Sequence, residues 1–538
     1  MTNNCCNSNF ELQHFFRMNY CLKYFYLRND MNCRDRVCPV PTIHAICMTV
    51  IALFFLTNAF TLRAEGIFEF SSNVEHAYHL SLSLRLDEAR EQLSYEKNQN
   101  PDNLLPLLIE DYIDFFTIFI NEDKAEFDHL EANKERRLKR IRAGNPDSPY
   151  YLYTQAEITL HWALARLKFE ENITAAREVR RAYKLLEENA QKYPDFMANK
   201  KTLGLLHAII GTIPDNYKWV MKMVGMEGTL AQGTRELKEV IAHSKAQPEF
   251  LFGTETVVMY ALLMLHIGNN DSESWTLVHE ADIDVENNPL AAFIFANVAM
   301  HTGRNDEAIR ILERVPRGAP YHKFDYLDYM LGFAKLYRLD EDANIHLQKY
   351  VDNFQGQNYI KDAYQKLAWY ELLFGDVRAY QVQMLHCRNK GKAIIESDAK
   401  AYIEASQGPL PHHDLIKARL LCDGGYYDKA LTVLEYKTTH DFDTKRQRVE
   451  FLYRLGRIYH EKNNTEQAIK YYQKTIHDGA DESWYFACNA ALKTGNLHEA
   501  EDNHAQARLY YQKCLSLYPD EYRNGLHQKA KAGINRVK

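Results

Sequence analysis

A small residue, then Gly or Asn seven positions later, then Ala twelve positions later, is the pattern that most limits what this chain can fold into. It occurs as Ala296–Gly303–Ala308, Ala418–Gly425–Ala430 and Gly456–Asn463–Ala468. Bulky residues follow each closing Ala by three and four positions: Ile311 and Leu312, Val433 and Leu434, Tyr471 and Tyr472. Partial copies stand at Ala261/Gly268, Ala368/Gly375, Cys488/Gly495/Ala500 and, near the front, Ala77/Ala89. The spacing has a physical meaning. A small residue lets one helix approach its neighbour, and Gly or Asn adopts the left-handed conformation that ends it. The Ala then sits where a second helix crosses the first, with the residues three and four beyond it on the same buried face.

Counting from the opening small residues at 261, 296, 332 (Gly332), 368, 418, 456 and 488, most intervals are 32 to 38 residues and one is 50. The long interval holds extra helical sequence over 380–410, ending at Gly408-Pro409-Leu410-Pro411. The last unit offers two closing residues, Ala500 and Ala507, seven apart and so nearly two helical turns. A helix–turn–helix period of about 34 residues, best seen in Leu455-Gly456-Arg457-Ile458-Tyr459 with Ala468 and Tyr472, resembles the tetratricopeptide-repeat family. The resemblance covers about 253–522, with a weaker unit at 70–103. It implies an all-α, right-handed superhelical solenoid of tetratricopeptide-like helix pairs, with an irregular helical N-terminal half. It further implies a concave groove lined by the first helix of each pair. In this frame the groove residues are Asn297, Tyr326, Tyr329, Trp369, Arg419, Tyr453, Arg457 and His460. Aromatic and Arg side chains are common anchors of binding surfaces, although Trp369 in particular also suits packing between repeats.

The expected division is an irregular helical-repeat region over 65–250 and a tetratricopeptide array over 251–538. Residues 104–250 do not repeat cleanly. From Gly204 to Gly233, Gly211, Pro214, Gly225, Gly228 and Gly233 punctuate short helices, with Asp215 and Thr229 placed as N-caps. This segment resembles the helical-repeat family of the eukaryotic inclusion-body-clearance protein, which brings no established chemistry with it. Trp219, Val220, Met223 and Val224 share one apolar helix face, read as packing against a neighbouring helix.

The front of the chain reads as a targeting segment. Ala45 to Phe60 carries no charge, Arg34 and Arg36 precede it, and Ala59 and Ala64 stand near its exit. These are the parts of a signal peptide, and a helix of that length spans about 24 Å against the roughly 30 Å of a hydrocarbon core. The expectation is an exported protein, periplasmic, in the envelope or secreted, with 31–64 removed. The alternative is an uncleaved segment that anchors the chain in a membrane through 45–60. Residues 1–30 are read as a spurious or disordered extension, with translation starting at Met31.

Six cysteines crowd the first 47 residues, and Cys387, Cys422, Cys488 and Cys514 serve the rest. No CxxC pair exists, so these four are expected to be buried free thiols acting as small hydrophobes. A net charge of −7 gives no electrostatic case for nucleic-acid binding.

Enzyme signatures are absent. His279-Glu280, His460-Glu461 and His498-Glu499 each lack the second His of a zinc-protease helix. No phosphate-cradling Gly-rich loop or GxSxG elbow occurs. Asp282, Asp284 and Glu286 read as a solvated turn, and His412-His413 as a polar helix entry. Lys134, Arg136, Arg137, Lys139, Arg140 and Arg142 read as a solvated helix face. The expectation is therefore a scaffold without catalysis, cofactor or metal, whose groove takes a protein or peptide. A carbohydrate-binding receptor of the outer surface is the alternative. No lipoprotein cysteine follows the apolar run, repeats continue to the C-terminus, and only 5 Trp are present, all of which count against it.

Overall fold

The computed structural model describes residues 66–213, 221–268, 270–281 and 283–537. The expected targeting segment, the six early cysteines, and Asp215, Trp219 and Val220 lie outside them.

The described chain is a succession of α-helices with no strand beyond two isolated bridge pairs. The N-terminal half holds α1 (Ser72–Leu82), α2 (Leu86–Gln99), α3 (Pro106–Asn121), α4 (Lys124–Ile141), α5 (Pro149–Lys168), α6 (Asn172–Lys192), α7 (Met197–Gly211) and α8 (Leu230–Ala246). Next come α9 (Gly253–Leu263), prolonged by a π-turn over Met264–Gly268, and α10 (Asp271–Glu280), α11 (Pro289–His301) and α12 (Asn305–Arg314). The middle comprises α13 (Tyr326–Arg338), α14 (Ala343–Asn353), α15 (Ile360–Phe374), α16 (Val377–Asn389) and α17 (Glu396–Gln407). The end comprises α18 (His413–Asp423), α19 (Tyr427–Leu434), α20 (Lys445–Glu461), α21 (Thr465–Gly479), α22 (Phe486–Ala500), α23 (His504–Ser516) and α24 (Arg523–Arg536).

Local chemistry sets many of these ends. Ser148 caps α5 ahead of Pro149, Asn288 caps α11 ahead of Pro289, and Thr444 with Gln447 forms a capping box on α20. Thr229 caps α8 as its sequence position implies. His412 accepts from the Asp414 amide and caps α18, the polar entry expected of it.

The small-residue frame governs the pairing. Ala308, Ala430 and Ala468 are fully buried at helix crossings, and Gly303, Gly425 and Asn463 have positive φ at the turns before them. A Cβ on Gly456 would stand 2.6 Å from Tyr472 Cδ1, so the first helix is held close by the absence of a side chain. The last unit corrects its expected register. Gly495 lies inside α22 against Tyr511, Asp502 takes the left-handed turn and Ala507 is the buried crossing residue. Ala500, the other candidate, is exposed. Gly268 and Gly375 do not adopt the left-handed conformation their positions suggested, since Gly268 sits within the π-turn and Gly375 has φ −111°.

The same frame continues into the half that looked irregular. Ala77–Leu84–Ala89 pairs α1 with α2, and Ala163–Glu170–Ala175 pairs α5 with α6, with Leu84 and Glu170 at positive φ. Phe115–Glu122–Phe127 repeats it over α3 and α4 with rings in place of the small residues. The pair α7 and α8 crosses through Gly204 and Gly233, where a Cβ on Gly233 would stand 2.5 Å from the Ala208 nitrogen.

The 50-residue interval is explained by α17, a third helix packed on both α15 and α16. Beyond it α18 returns to pack on α13, and the α18–α19 turn meets the α11–α12 turn. The chain also closes on its own front. The His322 amide donates to the Leu84 carbonyl at 2.7 Å, and Glu122 reaches Asn358 across 236 positions.

Candidate partner-binding face

The first helices α11, α13, α15, α18, α20 and α22 carry an interior of paired charges and rings. On α13, Tyr326 and Tyr329 are buried with ring centroids 5.0 Å apart, and the Tyr329 hydroxyl donates to Asp362. Burial, then the Asp362 charge, pushes that phenol well above its ordinary range. On α15, Trp369 is 2% exposed and its Nε1 donates to Glu404 Oε1 of α17 at 2.8 Å. The Lys366 ammonium and the Arg419 guanidinium sit 4.3 and 4.6 Å from its ring centroid.

Arg419 and Asp423 stand four apart on α18, with Nε 3.7 Å from Asp423 Oδ2. Asp423 Oδ1 in turn accepts from Arg457 Nη1 of α20 at 2.7 Å. Trp369, Arg419, Asp423 and Arg457 therefore form one ladder across three helices. Further along, the Tyr453 hydroxyl accepts from Asn489 Nδ2 of α22 at 2.8 Å. His460 Nδ1 lies 3.3 Å from the Tyr472 hydroxyl, and burial with the nearby Lys493 charge pushes its imidazole down to about 3.

The expected groove residues thus do lie on first helices, but they are not equally open. Asn297, Tyr326, Tyr329, Trp369, Tyr453 and Arg457 are buried, whereas Arg419 and His460 are half-buried. The structure joins Trp369, Arg419 and Arg457 through Asp423, joins Tyr326 to Tyr329, and leaves Asn297 apart. Sequence reasoning missed Asp423 and Glu404, the acids that orient Arg419, Arg457 and Trp369. The Arg419–Asp423 spacing, one helical turn on a first helix, was the available signal.

A second feature had no sequence signal. An open cavity of about 560 Å3 lies between α14 and α16 over α15, lined among others by Ile345, Gln348, Leu367, Glu371 and Gln383. Burial, then the Asp376 charge, raises the Glu371 carboxyl above its ordinary range. Around it the block α14–α17 exposes Ile345, Phe374, Val382, Leu385 and Ile403.

Other marked residues have structural explanations. Lys134 pairs with Glu178, and Arg137 with Asp114 at 2.7 Å, while Arg136, Lys139, Arg140 and Arg142 are solvated. Asp284 Oδ1 accepts from the Glu286 and Asn287 amides, as a turn residue does. His279 stacks on Trp275 and His498 on Tyr510.

A chain of stacked helix pairs with this frame is a helical-repeat solenoid, a class whose members present extended surfaces to partners. Two family models, each described as tetratricopeptide repeat, match residues 449–476 and 489–521. The chain thus carries tetratricopeptide repeats over these segments. No curated protein matches the chain. Among solved structures, the tetratricopeptide domain of P58(IPK) is similar at 14% identity, covering 76% of this chain and 97% of that one, with a TM-score of 0.20. Tetratricopeptide repeats are typically non-catalytic and mediate protein–protein interaction.

Proposed function

We propose that the chain is a non-catalytic scaffold, exported to the cell envelope or secreted, that holds a protein or peptide partner along its first-helix face. The observation that carries the reading is the ladder of Trp369, Arg419, Asp423 and Arg457 on consecutive first helices, with Arg419 and His460 reaching solvent. Interlocked side chains of this kind hold the half-buried Arg419 in one geometry, which lowers the ordering cost of binding. Export is supported by the uncharged run Ala45–Phe60 behind Arg34 and Arg36. No helix among the described residues is long and apolar enough to cross a membrane.

A second contact surface is favoured by the block α14–α17. Eight of the sixteen exposed large hydrophobics among the described residues fall within 345–410. Apolar exposure concentrated in this way marks interaction surfaces. With Glu371 in its cavity, the block suits a partner segment that carries a cation between apolar residues.

The test is site-specific photocrosslinking in native cells, with the crosslinker at Arg419, at His460 and at Leu385. One protein captured from both Arg419 and His460 supports the first-helix reading. Capture from Leu385 alone moves the partner to the outer block, and capture from none of the three removes the scaffold reading. The same cells, fractionated, yield the mature N-terminus; a start near Phe60 or Glu65 supports export, and an intact chain in the cytosol refutes it.

A further inference from the structure

The four cysteines of the described chain looked unrelated in sequence, yet two of them meet. Cys488 of α22 and Cys514 of α23 bring their Sγ atoms to 3.5 Å, on facing helices of one repeat, 26 residues apart. Both are buried, at 1% and 0% exposure, among Ala507, Tyr511 and Ala530. Cys514 Sγ also lies 3.9 Å from the Leu526 carbonyl, so the final helix α24 covers the pair. We propose that Cys488 and Cys514 are a disulfide site that staples the two helices of the last repeat together.

The geometry asks for little. A disulfide needs Sγ atoms about 2.05 Å apart, so the pair must close by roughly 1.5 Å, a movement within reach of side-chain rotation. Ala side chains and a ring flank the pair. Backbone carbonyls also flank the sulfurs, with Cys488 Sγ 3.4 Å from the Cys514 carbonyl oxygen. The oxidant is a disulfide-bearing donor, such as glutathione disulfide. One thiol loses its proton and attacks a donor sulfur, forming a mixed disulfide and releasing one donor thiolate, which takes up a proton. The second cysteine then loses its proton and attacks the mixed disulfide, forming the Cys488–Cys514 bond and releasing the second donor thiol. Two protein thiols are oxidised and one donor disulfide is reduced to two thiols.

Access follows from position. The thiols are sealed in the closed repeat, where their mutual hydrogen bond, and then burial, push the Cys514 thiol far up. Reaction therefore takes place during folding or when α24, which covers the pair, opens locally. Once formed, the bond closes a loop between 488 and 514 and restricts the unfolded chain, which favours the folded repeat. The site stands on the thiol geometry and is independent of the proposed partner and compartment.

The test uses the full chain, refolded with glutathione and glutathione disulfide and, separately, held folded with glutathione disulfide at raised temperature. Free thiols are then alkylated and the chain is digested without reduction. The expected product is a peptide pair joined through Cys488 and Cys514, with Cys387 and Cys422 alkylated. The oxidised chain is expected to melt about 5 °C higher in its C-terminal transition, and Cys488→Ser and Cys514→Ser should each abolish both effects. Alkylation of both thiols in oxidised, folded chain by either route overturns the proposal, as does pairing of either one with another cysteine.

Discussion

Gly425 lies against Gly303 so closely that a Cβ on Gly425 would stand 2.9 Å from Gly303 Cα, with the Gly303 carbonyl oxygen closer still. Both glycines have positive φ, at 87° and 72°. Two turns more than a hundred residues apart thus touch backbone to backbone. Tyr426 secures the contact by donating to Asp306 Oδ1 at 2.8 Å and accepting from Asn305 Nδ2 at 3.1 Å. Gly425→Ala meets a steric clash and an unfavourable φ together, so a loss of about 2–4 kcal/mol is expected. Urea unfolding monitored by circular dichroism measures it. Gly318, also at positive φ but with open space around its missing Cβ, should lose about 1–2 kcal/mol on the same change.

The register of the last repeat can be read from a pair of substitutions. Ala507 is fully buried at the crossing and Ala500 is exposed. Ala507→Leu should overpack the crossing and cost roughly 1–3 kcal/mol, as should Ala468→Leu one repeat earlier. Ala500→Leu should stay within about 0.5 kcal/mol of the parent. Equal melting temperatures for the Ala500→Leu and Ala507→Leu chains would contradict the register.

Glu122 makes the closure of the chain sensitive to acid. Its carboxylate accepts from Lys168 Nζ at 2.7 Å, from the Asn358 amide at 3.0 Å and from Asn358 Nδ2 at 2.8 Å. Burial alone would raise this carboxyl, but the Lys168 charge and the hydrogen bonds from Lys168 and Asn358 outweigh it and hold it below its ordinary value. The folded value therefore lies below the unfolded one of about 4.3. Its contribution is complete above that pH and is lost as pH falls through the folded value. Hydrogen exchange at the Asn358 amide should accelerate over that acid window in the parent, and Glu122→Gln should be destabilised at pH 7 with the acid step flattened.

Lys201 is buried between two carboxylates, at 3.3 Å from Glu157 Oε2 and 2.9 Å from Glu255 Oε1. Burial works to lower its ammonium pKa, and the Glu157 and Glu255 charges reverse the direction. Glu255 also accepts from Tyr78 at 2.8 Å, so the network ties α9 to α1 and α7. Lys201→Met strands the buried Glu157 and the largely buried Glu255, with an expected loss of about 3–5 kcal/mol. A Lys201→Met/Glu157→Gln/Glu255→Gln chain should recover part of it in the same thermal melt.

The turn geometry decided how far the fold could be read from sequence. Gly303, Gly425 and Asn463 announce left-handed turns by residue type, so the C-terminal pairs were legible. Leu84, Glu122 and Glu170 adopt the same conformation at the same place in the frame, against their intrinsic preference, and so hid the pairing of the first half. Cys488–Gly495–Ala500 misled because a buried Cys on a first helix mimics the small opening residue one turn-pair too early. The ladder was half visible, since Trp369, Arg419 and Arg457 follow from the frame. Asp423 was legible in its one-turn spacing from Arg419, but Glu404 reaches Trp369 only because α17 folds back, and no spacing encodes that. The cavity at Glu371 and the thiol contact are likewise products of packing between helices.

The most direct test of the scaffold account is the affinity of the captured partner for chains altered on one face at a time. Arg419→Gln, verified by circular dichroism to fold like the parent, should weaken binding at least about tenfold if a desolvated Arg anchor is lost. Leu385→Ser should leave that affinity within about threefold, as substitutions outside a contact do. An unchanged affinity for Arg419→Gln, with binding lost in Leu385→Ser, would contradict the assignment of the first-helix face and place the partner on the outer block.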